Sequence, residues 1–312
     1  MSSLEILDAG ALTILVGGAG LPEPADARSH RVAGLLASNP PFPDSPALEV
    51  TAGPLEVLAH GTLWLSLAGA DLGARTLPDN RRVAPGSGFA LGDGQRLRLD
   101  GLQGAGLRAY LGTHRGFTAP DGARHLRGAR PVSLEPGGLL DVHTTTALTP
   151  SRWAGPVTAV PHTVRAVVGP HARLLPQEAR DAVWATTWTV GPESDRQGLR
   201  LAEHLGVPQG GLGDLPSLPV ITGVIQLPPD GRPIILGVDA QPTGGYPVIA
   251  VVAAVDRPAL GQLRPGDRLR LTPIGAEEGR RAFDADRAAL LAAGTALLEA
   301  GAWDQLWHDS GA

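Results

Sequence analysis

Short apolar runs in which every second position is polar dominate the chain, with glycine or proline between them. Leu63, Leu65 and Leu67 alternate with Trp64 and Ser66, and Leu97 and Leu99 alternate with arginines. Alternation at period two predicts strands with one buried face. The same pattern gives strands in "VRAVVG", "TTWTVG", "PVITGVIQL", "PIILGV", "VIAVVAAV" and "DRLRLTPI". Between Leu227 and Ile234, "PPDGRP" has the residues of a tight hairpin turn.

Helical spacing is rarer. It predicts helices over 25–38, over 194–206 and over a tail at 284–307. In the second, Leu199, Leu201 and Leu205 fall on or near one face. Ser194 or Asp195 can cap its start, and Gly206 can end it. A loop-rich stretch at 118–164 places a boundary near 150–160. The organisation read from these patterns is a first β lobe over 1–160, a second over 161–275 and a helical tail over 276–312. A Pro-Gly turn before a basic-apolar strand recurs at 84–99 and 263–271, as a duplicated β unit would show.

Composition narrows the chemistry. The 312 residues are 43% hydrophobic and 18% charged, enough for a packed core. Glycine (42) and proline (29) favour turns over long helices. Net charge is -5 without a basic block, which argues against a nucleic-acid partner. Cysteine is absent, so thiol nucleophiles and disulfides are excluded. All 26 basic residues are arginine, so a Schiff-base lysine and a P-loop lysine are excluded too. The start, "MSSLEILDAG", reads as neither signal peptide nor membrane span, and a cytoplasmic location is expected.

The histidines are scattered, with no HxH or HExxH spacing, so no metal site is expected. The glycine-rich "VGGAG" and "GFALGDGQ" lack the strand-GxGxxG-helix context of a nucleotide loop, and no GxSxG elbow occurs. The stretch "DAQPTGGYP" (239–247) is denser in function-bearing groups than a hairpin needs. Asp239 is a candidate base or orienting acid. Gln241 and Thr243 can hydrogen-bond an amide or urea-like group. Gly244 and Gly245 let a ligand approach the backbone, and Tyr246 offers a ring and a hydroxyl. A wide hairpin in which Asp239 only holds turn amides is the competing reading. On the expected helix, Arg196 and Arg200 are four residues apart and would share a face suited to an anion, and a helix capped by Asp195 with solvated arginines is the competing reading.

The ordered set "SDRQGLRL", "GVIQLPPDGRPI", "DAQPTGGYP" and "QLRPGD" resembles the C-subunit family of 5-oxoprolinases. That family also takes in KipA-type proteins and allophanate hydrolase subunit 2, with relatives inside urea carboxylase and urea amidolyase. The resemblance runs over roughly residues 165–275, with "RAVVGPH" near its start. The first lobe departs from the pattern. "LTILVGGAGLPEPADARSH" stands where the family has a "QD-GR-G" run, with Asp26 as its acid, and "DGARHLRGARP" stands for a "GSRST"-like segment.

The resemblance implies a mostly β fold of two cyclophilin-like barrel lobes with a few short helices and a C-terminal helix. It implies catalytic roles for Asp239 and Tyr246. It implies substrate binding by Gln226, Gln241, Thr243, Gly244, Gly245, Ser194, Asp195, Arg196 and Arg200. It further implies a part in an ATP-dependent complex opening the 5-oxoproline lactam, with a KipI-like B-subunit and a LamB/YcsF-like A-subunit. Carboxyl transfer to a urea-like acceptor from a biotin carrier is the alternative, and KipA-type regulation of a KipI-like partner is the third. With no lysine in these residues, no cofactor is expected on this chain, and ATP or carboxybiotin would arrive through partners.

Overall fold

Two sets of strands, each packed on its own apolar core, organise the described part of the chain. The computed structural model describes residues 2–119, 125–129, 131, 133–143, 151–153, 160, 162–207 and 215–309, with the side chains of 298 and 300–309 outside that description. One compact unit comprises Met1–His125, Pro131–Ala159 and Ala288–Ala312, and the other Leu126–Arg130 and Val160–Arg287. Most of the expected 150–160 boundary, and much of the "DGARHLRGARP" segment, lie outside the described residues. The protein is mostly β with few helices and a C-terminal helix, as expected.

In the first unit, the strands are β1 (Ser2–Asp8), β2 (Thr13–Val16), β3 (Ala47–Thr51), β4 (Leu55–His60), β5 (Leu63–Gly69), β6 (Arg75–Leu77), β7 (Arg81–Arg82), β8 (Ser87–Leu91), β9 (Arg96–Leu99), β10 (Arg108–Thr113) and β11 (Leu139–Val142). They form a six-stranded sheet, β11-β1-β4-β9-β6-β7, and a five-stranded sheet, β2-β3-β10-β5-β8. Leucines of the alternating strands meet in one core: Leu4, Leu55, Leu65, Leu97 and Leu111 are fully buried.

β5 departs from the half-buried expectation, because all seven residues are buried. Its leucines join that core, while Ala68 on the other face packs under helix α1 (Ala27–Leu36). Ser66 on the same face donates its hydroxyl to Ala33 O at 2.6 Å, so the polar position is satisfied by the helix. The expected helix at 25–38 is this one, capped by Asp26, which accepts from the N–H groups of Arg28 and Ser29. Beneath the cap, Tyr110 donates to Glu49 Oε2 at 2.8 Å and accepts from Asp26 N at 2.7 Å. Burial, then the nearby Glu49 and Asp26 carboxylates, raise the Tyr110 pKa well above the usual phenol range.

In the second unit, the strands are β12 (Thr163–Val168), β13 (Thr187–Thr189), β14 (Gly198–Arg200), β15 (Leu218–Pro219), β16 (Val224–Gln226), β17 (Ile234–Leu236), β18 (Thr243–Gly244), β19 (Val248–Val252) and β20 (Arg268–Pro273). The main sheet runs β13-β20-β12-β19-β16-β17-β14, and β15 pairs with β18 apart from it. Every pair in the main sheet is antiparallel except β12 with β20. Helix α2 (Gln177–Ala185), absent from the sequence reading, buries Ala179 and Val183 one turn apart. α3 (Arg257–Leu260) is a single turn, and α4 (Ala276–Asp309) includes the expected tail.

The "PPDGRP" turn joins β16 to β17 as expected, with Gly231 at φ +73° and its N–H on Pro228 O. The helix expected over 194–206 does not form. Val190 bridges Leu201, β14 pairs with β17, and the chain between turns back on itself. The residues read as caps serve that turn. Asp195 Oδ1 accepts from Gln197 N at 2.8 Å and Gly198 N at 3.2 Å, and Ser194 Oγ accepts from Arg200 N at 3.0 Å. Gly198 admits close packing against β17, where a Cβ would lie 2.9 Å from Ile234 Cγ2.

"DAQPTGGYP" is not a hairpin either. β17 and β19 both pair with β16, on opposite sides, and both run antiparallel to it. The chain from 237 to 247 therefore returns from one end of β16 to the other across the face of the sheet. Ala240 packs with Val224, Leu236 and Val248 on the way. Among the described residues no helix is long and apolar enough to cross a membrane.

Candidate functional site

The crossover and the 191–202 turn wall a cleft of about 790 Å³ over strands β14, β17 and β16. Its floor follows from register. Arg200 lies opposite Ile234, and Ile234 lies opposite Gln226, so the three share one face as a row across three strands. Leu236 and Gly198 form the next row. Ile235 and Ile225, of opposite phase, point into the core.

Gln226 has the most distinctive setting. It is 2% exposed, it lines the cleft, and its side-chain Nε2 has no hydrogen-bond partner. A buried amide donor without a partner costs about 1–3 kcal/mol, which a ligand acceptor would recover. Gly244 makes room for it, since a Cβ there would fall 2.4 Å from Gln226 Nε2. The glycine expected to let a ligand approach the backbone instead lets a neighbouring side chain approach.

Of the residues singled out in the sequence, Asp195, Arg200, Gln226, Gln241 and Tyr246 line the cleft. Tyr246 is 46% exposed. Thr243, Gly244, Gly245 and Ser194 do not line it: the first two form β18, and Ser194 holds the turn. One expectation, the shared helix face, is corrected, and Asp239 lies away from the cleft lining. Asp239 is fully buried and faces Arg196 rather than the cleft, with Arg196 Nε to Asp239 Oδ2 at 2.6 Å and Nη2 to Oδ1 at 3.0 Å. Arg196 and Arg200 share no helix face, because Arg196 is buried in that pair while Arg200 is exposed on β14.

The Arg196–Asp239 pair has a structural consequence for the site. It ties the turn bearing Asp195 and Gln197 to the crossover bearing Gln241, which are two walls of the cleft. Backbone bonds reinforce the join, from Asp239 N to Arg196 O at 3.1 Å and Gly237 N to Gln197 O at 2.8 Å. A Cβ at Gly237 would lie 2.1 Å from Arg196 O, so only glycine fits. Asp239 thus orients the cleft without entering it.

Glu193, Asp230 and Arg232 also line the cleft and were not singled out. Asp230 and Arg232 sit inside the "GVIQLPPDGRPI" motif, and Glu193 directly precedes "SDRQGLRL". Gly128, from the departing segment, reaches within 3.2 Å of Gln241 Cα if given a Cβ. Among the described residues no group of three or more His, Asp or Glu is placed to hold a metal ion.

The similarities to known proteins converge on this architecture. Residues 18–273 match the family described as carboxyltransferase domain, subdomain A and B. The chain is 29% identical to the 5-oxoprolinase C-subunit of Escherichia coli (strain K12) over 265 residues, covering 82% of this chain and 84% of that protein. It is 26% identical to a putative urea carboxylase of Emericella nidulans over 227 residues, covering 64% of this chain and 18% of that protein. The crystal structure of TTHA0988 superposes with a TM-score of 0.74 at 27% identity, over 87% of this chain and 55% of that one. The K. lactis urea amidolyase does so with a TM-score of 0.77 at 22% identity, over 92% of this chain and 20% of that one. The chain therefore spans about a fifth of the urea-metabolising relatives it matches, and most of the bacterial protein. The match over residues 18–273 establishes that this protein belongs to the carboxyltransferase domain family, subdomains A and B.

Proposed function

We propose that this chain is a C-subunit-like component of an ATP-dependent 5-oxoprolinase complex, and that the second unit's cleft holds the amide of the substrate. The observation that carries the reading is the Gln226 Nε2 group, buried at the cleft without a partner. A lactam carbonyl is the acceptor it lacks, and a donor fixed there polarises the C=O bond toward attack. The similarity to the bacterial 5-oxoprolinase C-subunit over most of both chains supports the same assignment.

Each residue then has a stated part. Gln226 donates to the carbonyl oxygen. Gln241 and Tyr246, on the crossover wall, present hydrogen-bonding groups to the amide N–H side. Glu193 is a cleft carboxylate placed to accept a proton from an attacking water. Asp239 holds the walls through Arg196. These residues contain no lysine for a P-loop or for biotin attachment. In this reading ATP is used on partner proteins, a KipI-like B-subunit and a LamB/YcsF-like A-subunit. ATP hydrolysis drives addition of water to the lactam, giving glutamate.

Carboxyl transfer to a urea-like acceptor from a partner's biotin is the second reading, favoured by the similarity to the putative urea carboxylase. Reconstitution separates the two. Mixed with the KipI-like and LamB/YcsF-like proteins of its source, the chain should co-elute with at least one of them. ATP-dependent loss of 5-oxoproline should require all three. Activity with a biotin carboxylase and carrier on urea, and none with 5-oxoproline, would establish the second reading instead.

A further inference from the structure

We infer that the cleft selects an acid over a neutral amide: Arg200 and Arg232 take a carboxylate on the ligand whose carbonyl Gln226 binds. The inference rests on the reading that the cleft holds an amide, and adds a charge requirement to it.

The register supplies the geometry. Arg200 and Gln226 are the two ends of the row that has Ile234 at its centre. Two strand spacings put their Cα atoms roughly 10 Å apart. Both side chains are long enough to lean inward, so a small molecule resting on Ile234 meets a guanidinium at one end and an amide donor at the other. Arg232 lies two residues before Ile234 and so falls on the same face, diagonal to Arg200 across the β14–β17 pair. Neither guanidinium has an ion pair or hydrogen bond among the described residues, and both residues are exposed along the cleft. Two guanidinium groups on one face, each without an ion pair among the described residues, form a seat for a carboxylate.

The acids of the same cleft limit the effect without removing it. Asp195 and Asp230 each direct an oxygen to backbone N–H groups, on Gln197 and Gly198 and on Arg232 respectively. Glu193 is the cleft carboxylate with no such bond among the described residues, and its charge opposes an incoming anion. The lining carries three carboxylates against two guanidinium groups, so the preference rests on direct contact with Arg200 and Arg232, because the Coulomb energy falls with separation and is screened by solvent.

The test uses a matched pair of probes that differ only in the carboxylate, 5-oxoproline and 2-pyrrolidinone, titrated into the intact chain by calorimetry or ligand-observed NMR. The unmodified chain should bind 5-oxoproline at least tenfold more tightly. Arg200→Gln or Arg232→Gln should narrow that ratio severalfold, and added salt should narrow it too. Glu193→Gln should widen it. Gln226→Leu should weaken both probes alike. Both arginines are exposed, so their variants should keep the far-UV circular dichroism of the parent. If the two probes bind the unmodified chain equally, the charge requirement is overturned and the amide reading stands. If neither probe binds, both are overturned.

Discussion

Replacing Asp239 with Asn separates a structural role for this acid from a chemical one. The change keeps the shape and one acceptor oxygen but leaves the Arg196 guanidinium, 4% exposed, without its counter-charge. Removing one partner of a buried pair costs about 3–5 kcal/mol, and the retained oxygen puts this variant near the low end. A loss of about 3 kcal/mol raises the local opening constant by roughly two orders of magnitude. Hydrogen exchange read by mass spectrometry resolves it along the chain. Amides of β16, β17 and β19 should lose about 100-fold in protection, while those of β5 and β10 in the first unit keep theirs. The double variant Arg196→Met/Asp239→Leu, which removes both charges, should regain much of the protection. Unchanged protection in Asp239→Asn, together with lost turnover of the reconstituted complex, would refute the argument and return Asp239 to chemistry.

Three further outcomes follow from particular contacts. Gly244→Ala should displace the Gln226 amide and weaken 5-oxoproline binding about as much as Gln226→Leu does, with thermal unfolding shifted by no more than a few degrees; calorimetry beside a melting curve checks it. Tyr110→Phe should cost the first unit about 1–3 kcal/mol in urea unfolding, since Glu49 and Asp26 N each lose a buried partner. Burial lowers the pKa of His30 below the usual imidazole value, against the pull of Asp44 and Glu49 and with the help of Arg31. The unfolded chain therefore takes up this proton first, and the stability that neutral His30 contributes is lost as pH falls below about 6.5; a His30→Leu variant should show a flatter decline from pH 7.5 to 5.5.

Strand positions were legible because alternation is local: "RLRL" at β9 and β20 needs no knowledge of its neighbours. The second face of β5 was not, because what covers it is α1, contributed by residues about 30 positions earlier. The 194–206 segment misled for a related reason. Ser194, Asp195 and the spaced leucines satisfy the local rules of a helix start, and the close approach of β17 to Gly198 decided for a turn and strand. At the cleft, five of the singled-out residues lie on its lining. Asp239 could not be assigned from spacing, since its pairing with Arg196 joins positions 43 apart. Gln226 was found through resemblance, and its missing partner shows only in three dimensions.

The parallel pairing of β12 with β20 bears on how the second unit folds. β12 lies between β19 and β20, so the earliest strand of its main sheet waits for the two latest. About a hundred residues must be made before Ala166 can meet Pro273, and contacts of such separation form slowly. Until then both edges of β12, with the apolar Val164 and Ala166, stay open to other chains. During synthesis this strand is therefore open to aggregation until residues 248–273 have been made.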